Sequence, residues 1–327
     1  MLMRASPMTS SHPKAIWYQG ESNVACNDEW PYMQGLNCGM NAEDCASYYS
    51  CQFPAMIDDW RSSFASGWAG TGRALTFLFV GLPAYVEDLP STTYDQKNDT
   101  SLPLIRLAQR NASFQEHTYQ TSLVDHGYLA GHIGSIHPMD KTPVGKRLML
   151  AALEHAYGQD VVSAGPEPVT AAIVDGGKQL VLKFDPKTVA ATGLLLRLVG
   201  SVRQVCAAGQ SQIFGNPHTA VPRSQCGPAT GFELGVGAGA GAGELTWHPI
   251  ASLALSADKL SVNMPVPAAV RAAYRQQMQS PPPSPSQSQM QLRYLFADWP
   301  TPTVYNSESF LGLNGQLPTP PFTMPVS

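Results

Sequence analysis

The run ALTFLFVGL (74–82) decides the fold. It is apolar along almost its whole length, where a strand with one face in water would alternate polar and apolar residues. Unbroken runs of this kind belong to strands covered on both faces, as in parallel sheets flanked by helices. The run is far below the roughly 20 apolar residues that span a bilayer, so it predicts a buried strand and no membrane span.

Outward from this run, strand and helix signals alternate. Upstream, KAIWYQ (14–19) is a short β-type run. YYSCQFPAMIDDWRSSF (48–64) then places Phe53, Ile57, Trp60 and Phe64 near helical spacing, with Asp58, Asp59, Arg61 and Ser62 between them. Downstream, LPLIRLAQRNASF (102–114) predicts a helix and QTSLVDHG (120–127) a strand. DKTPVGKRLMLAALEHAYG (140–158) predicts a helix with Asp140 near its N-cap, Pro143 in its first turn and Gly158 at its end. This alternation indicates α/β architecture with a doubly wound parallel sheet over residues 14–160.

After residue 165 the pattern turns to β. AAIVDGGKQLVLKF (171–184) predicts a hairpin around Asp175-Gly176-Gly177, and GLLLRLVG, ELTWHPIASLALS and KLSVNM continue the signal. A mostly β region is therefore expected over 166–327. It carries two low-complexity insertions: GVGAGAGAG (235–243), a Gly/Ala tract, and QQMQSPPPSPSQSQMQ (276–291), which reads as a disordered linker.

Composition narrows the function. Of 327 residues only 13% are charged, the net charge is −4 and no run of Lys or Arg occurs. A phosphate-binding face needs clustered cations, so nucleic acid is not an expected partner. Six cysteines occur, and Cys26, Cys38, Cys45 and Cys51 cluster without C-x-x-C spacing. That argues against zinc and for a local pair of disulfides, with Cys206 and Cys226 a candidate third. A thiol or metal hydrolase built on residues 26–51 is the weakest functional reading. The sequons Asn98-Asp99-Thr100 and Asn111-Ala112-Ser113, with the cysteines, favour a secretory, lysosomal or extracellular location. The stretch MLMRASPMTSSHPK shows no signal peptide.

Two constellations carry chemistry. WYQGESN (17–23) ends the first strand, where α/β sheets bind ligands. Gly20 permits close backbone approach, and the Gln19 and Asn23 amides suit an oxyanion hole. Glu21 can orient a histidine. GHIGSIHPMDK (131–141) precedes a helix and offers His137 as a general base. Taken singly, each also reads as an ordinary polar loop.

In order and spacing, WYQGESN, FPAMIDDWR (53–61), FVGLPAY (79–85), IRLAQ (105–109), IHPMDKTPVGKRL (136–148), LRYLFADWP (292–300) and LPTPPF (317–322) resemble the sialate O-acetylesterase family of SGNH-type carbohydrate esterases. The resemblance implies a flavodoxin-like (SGNH hydrolase) three-layer sheet, followed by the β-rich region. It implies serine-type hydrolysis of O-acetyl groups on an O-acetylated carbohydrate, and no cofactor. His137 maps to the histidine, Gln19, Gly20 and Asn23 to the oxyanion and substrate loop, and Arg106 of IRLAQ joins the substrate-binding set.

Departures from the family pattern matter. The D-x-x-H acid is absent, since Gly134 stands three residues before His137. Glu21 is the first replacement, because related acetylxylan esterases use the Glu of QGE as the histidine's partner. Asp125 is the second, with a turn-capping role at Gly127 weighed equally. The family's nucleophile lies in a GQSNM-like turn upstream of WYQGESN, and no such block is found here. Ser22 is not in a nucleophile elbow, and Ser211 of GQSQ (209–212) falls in the β-rich region, so neither fits. The expectation is a sheet incomplete at its N-terminal side. A carbohydrate-binding pseudoenzyme of the same fold is the alternative.

Overall fold

The structure, a computed structural model, describes residues 14–24, 42–64, 74–84, 101–127, 137–189, 191–197, 226–237, 245–279, 290–306 and 316–327. Its first part is a parallel sheet ordered β1-β2-β3, from β1 (Lys14–Trp17), β2 (Thr76–Gly81) and β3 (Thr118–Ser122). Ile16 pairs with Leu78, and Leu78 in turn with Tyr119. Every residue of β2 is buried, as its unbroken apolar run predicts.

Helix α1 (Ala42–Phe64) connects β1 to β2, and α2 (Ser101–Ala112) connects β2 to β3. They pack on one face of the sheet, where Phe53, Ile57, Phe77, Phe79, Leu102 and Ile105 share a core. Phe53 meets Phe79 edge-on with ring centroids 5.1 Å apart, and Trp17 meets Trp60 at 5.5 Å. Side chains alternate along a strand. Lys14 therefore emerges opposite Trp17, and its ammonium lies 4.5 Å from the Tyr157 ring at the end of α3 (Thr142–His155). Helices thus cover both faces. Asp140 Oδ1 accepts the Thr142 amide at 2.9 Å, and Gly158, at φ 64°, closes the last turn.

The second part is antiparallel. One sheet is ordered β4-β5-β10-β9 and another β13-β11-β7-β8. The first contains β4 (Pro168–Val174), β5 (Gln179–Phe184), β9 (Ala254–Leu255) and β10 (Ser261–Pro265). The second contains β7 (Phe232–Gly237), β8 (Leu245–Pro249), β11 (Met290–Tyr294) and β13 (Phe322–Pro325). β6 (Leu194–Leu196) pairs with β12 (Val304–Asn306). Leu180, Leu182, Leu234, Val262, Met264, Leu292 and Phe322 form one core between the sheets. The expected hairpin is present, with Asp175, Gly176 and Gly177 all at positive φ.

Two expectations are corrected. The span 276–291 is not wholly a linker: α4 (Ala268–Gln279) includes its first residues and β11 its last. Val270 of α4 is fully buried, and this apolar anchor extends the helix into the glutamine tract. The cluster 26–51 is not two disulfides, because Cys51 is a free, exposed thiol. Cys45 and Cys226 are disulfide-bonded. Cys26, Cys38, Cys206, Asn98, Gly134, Ser211 and the stretch 238–243 lie outside the described residues.

The two parts share side chains. Val124, two residues past β3, sits in the core of the β-rich region. A Cβ on Gly127 would stand 2.4 Å from the Trp299 ring, so only glycine allows that contact. Arg110 pairs with Glu167, and Asn306 Nδ2 donates to the Ala164 carbonyl at 3.1 Å.

Candidate active site

Because β1, β2 and β3 are parallel, their carboxyl ends open on one edge of the sheet. The segments 18–24, 82–84 and 123–127 follow these ends. The turn 137–141 joins them through Lys141, whose ammonium lies 4.6 Å from the Tyr18 ring.

The first segment turns sharply. Gly20 adopts φ 138°, and Glu21–Asn23 form a single 3-10 turn closed by the Asn23 amide donating to the Gly20 carbonyl at 3.0 Å. A Cβ at Gly20 would lie 2.8 Å from Gln109 Nε2. Gln109, fully buried, accepts the Leu82 amide at 3.0 Å and donates to the Gln19 carbonyl at 2.9 Å. It therefore clamps the ends of β1 and β2 to each other. The Gln19 side chain is held too: Tyr49 Oη donates to its Oε1 at 3.3 Å, and its Nε2 donates to Asn23 Oδ1 at 2.5 Å. This leaves Asn23 Nδ2 as a donor without a partner among the described residues, oriented through its own carbonyl. Burial, with the charge of Glu21 added, pushes the Tyr49 phenol up to about 12. Tyr49 therefore stays a neutral donor at neutral pH. Ser22 is exposed on the turn.

His137 is exposed and makes no hydrogen bond or ion pair among the described residues. Pro138 after it is buried, which fixes the turn. The Glu21 carboxylate likewise accepts no hydrogen bond among the described residues, so the structure does not join it to His137.

Asp125 is committed elsewhere. Its carboxylate receives Arg147 Nη1 at 2.7 Å and Nη2 at 2.8 Å, and Arg147 also donates to the Ser122 carbonyl. The turn-capping role weighed from sequence gives way to this bridge from β3 to α3. Burial pushes the Asp125 carboxyl up, but the Arg147 charge and its hydrogen bonds outweigh that, and the group sits below the usual carboxylate range. Its neighbouring imidazole is His126, 3.8 Å away, which burial holds below the usual histidine value.

Arg106 is 1% exposed. Its Nε donates to the Leu82 carbonyl at 3.1 Å and its Nη2 to the Pro83 carbonyl at 2.7 Å. Its two terminal nitrogens also reach the Ala297 and Asp298 carbonyls at 2.7 and 3.0 Å. It thus braces the loop after β2 against the ADWP stretch instead of presenting its donors to a ligand.

Sequence reasoning missed Gln109, Tyr49 and Arg147 as supports. The signal for the first was present: Arg106 and Gln109 of IRLAQ stand three apart, on one helix face.

A different serine–histidine contact lies along β3, beside a cavity of about 220 Å³ lined by Tyr119, Glu154, His155, Ser163, Glu167 and Lys187 among others. Ser163 Oγ is 3.2 Å from His155 Nε2, and Glu154 Oε2 is 3.8 Å from the same nitrogen. A relay needs acid and hydroxyl on opposite ring nitrogens. Ser163 is 2% exposed, its amide is held by Glu154 at 2.9 Å, and the imidazole stacks on Tyr119 at 3.6 Å. The cluster anchors the segment after α3.

No family model matches the chain. The mouse protein named sialate O-acetylesterase is 31% identical over 179 residues, covering 52% of this chain and 28% of that protein. The human one is 32% identical over 161 residues, covering 47% and 26%. The chain is similar to these sialate O-acetylesterases over about half of its own length. It matches little more than a quarter of the length of these sialate O-acetylesterases. A carbohydrate acetylesterase from Xanthomonas citri shares the fold, with TM-score 0.53 and 24% identity over 94% of this chain and 49% of that one. No helix among the described residues is long and apolar enough to cross a membrane, and none of their His, Cys, Asp and Glu side chains group as metal ligands.

Proposed function

We propose that the chain is the C-terminal portion of a serine-type carbohydrate acetylesterase that removes O-acetyl groups from sugars of the sialic acid class. The observation that carries this reading is the Lys141–Tyr18 contact, which ties the IHP turn to the QGESN loop.

In this reading a serine hydroxyl from outside the described residues attacks the acetyl carbonyl while His137 takes its proton. The oxyanion is met by Asn23 Nδ2, with Gln19 holding Asn23 in place. The sugar oxygen leaves with the proton from His137, and water repeats the sequence to release acetate. Glu21 is the proposed acid for His137, closing on it when substrate is bound. Asp125 acts at one remove, fixing α3 through Arg147, and Arg106 positions the loop after β2. Gly20 supplies the turn. The three parallel strands are then one side of a larger flavodoxin-like sheet, with residues 14–160 the esterase part and 166–327 its β-rich companion. The disulfide-bonded Cys45 and Cys226 favour a secretory, lysosomal or extracellular location.

A second reading, a sugar-binding pseudoenzyme, is favoured by the absence of an acid on His137 among the described residues. Acetyl-ester hydrolysis by the purified 327-residue chain, with His137→Ala as control, tests both. Little or no turnover is expected. Robust, His137-dependent turnover overturns the view that the nucleophile comes from elsewhere. Failure to bind any acetylated sugar overturns the second reading.

A further inference from the structure

Asn111 stands at the end of α2, exposed, and begins the sequon Asn111-Ala112-Ser113. Two observations set it apart from a chance triplet. The chain holds disulfide-bonded cysteines, which fits folding in an oxidising compartment, and the lumen where N-linked glycans are added is one of these. The surface beside Asn111 is also left oddly bare, with Phe114 at 75% exposure and Cys51 an exposed free thiol. Ser50, next to Cys51, accepts Asn111 Nδ2 at 2.8 Å, which places the asparagine over this part of α1.

We propose that Asn111 is an N-glycosylation site whose glycan shields the Phe114 and Cys51 surface. The donor is an oligosaccharide diphospholipid. The bond between sugar C1 and Nδ2 forms, the C1–oxygen bond to the diphosphate breaks, the diphospholipid leaves, and Nδ2 gives up one proton. An amide nitrogen carries two protons, so the second remains for Ser50 and the folded contact survives modification. Ser113 supplies the hydroxyl that the sequon requires.

The test is glycopeptide mass spectrometry on the whole chain secreted from eukaryotic cells, in an Asn98→Gln background that removes the other sequon. Expected is a glycan on the peptide carrying Asn111, lost in Ser113→Ala and kept in Ser113→Thr. Ser113→Ala leaves Asn111 and its contact with Ser50 in place, so it separates modification from folding. Alkylation of Cys51 should speed up severalfold after enzymatic deglycosylation under native conditions. An unmodified Asn111 in chains whose cysteines are oxidised overturns the proposal. A Cys51 alkylation rate indifferent to deglycosylation overturns the shielding.

Discussion

Asp125 and Arg147 meet through two parallel hydrogen bonds, 2.7 and 2.8 Å long, with side-chain exposures of only 11% and 6%. The pair joins the loop after β3 to the first turns of α3, and hence to the segment that carries His137. Removing one partner leaves an uncompensated buried charge. Arg147→Met should destabilise the fold by about 3–5 kcal/mol, read from the urea midpoint at pH 7. Replacing both by apolar residues of similar volume should restore most of that loss.

The same pair sets a pH dependence. The Asp125 carboxyl is depressed in the folded state, so its contribution is complete above the unfolded value of about 3.9. It falls as pH drops below that value through the folded one. Stability measured from pH 6 to pH 2 should therefore decline, and Asp125→Asn should flatten the decline. An unchanged slope in the variant contradicts the assignment.

Gly20→Ala should cost about 1–3 kcal/mol, because a side chain at φ 138° is strained. Its Cβ also displaces Gln109 from the Gln19 carbonyl. Gln109→Leu should disturb the same loop without the strain. In an esterase-competent form of the protein, both variants should lower acetyl-ester turnover more than they lower the melting temperature.

His137→Ala should leave stability within about 0.5 kcal/mol, since the side chain is exposed and unbonded. In a form that hydrolyses acetyl esters it should lower kcat by at least about a hundredfold. Asn23→Ala should lower kcat with little change in KM, as expected of a donor that acts on developing charge. A pure KM effect would assign Asn23 to ground-state binding instead.

Arg106→Ala should be among the most destabilising single changes, at least about 3 kcal/mol, because it strips buried carbonyls on two parts of the chain of a charged donor. Arg106→Lys should recover part of the loss. Limited proteolysis would then cut between the two parts more readily than in the parent.

Much of this architecture is legible from local chemistry. The apolar run of β2 announces a strand buried on both faces, and Asp140, Pro143 and Gly158 bound α3 because capping is a short-range matter. The antiparallel region is legible as β but not as two sheets, since β11 pairs with β7 across a separation that no period reveals. Helix α4 was hidden because its glutamines read as low complexity, while its anchor, Val270, contacts strands distant in sequence. At the site, the residue types of the QGESN loop and the IHP turn were legible. The partner of Asp125 was not: an acidic residue after a strand looks the same whether it faces a histidine or an arginine 22 residues on.

Val124 has a consequence for how such a chain can diverge. The loop that leads toward His137 is seated in a core made largely by the β-rich region. Substitutions around Leu234, Leu292 or Phe322 are therefore substitutions in the foundations of the loop before Asp125, though none approaches the chemistry. Drift is expected instead in the Gly/Ala and Pro/Ser tracts, whose composition is of low complexity. Across relatives, length should vary at those tracts while the volume around Val124 stays constant.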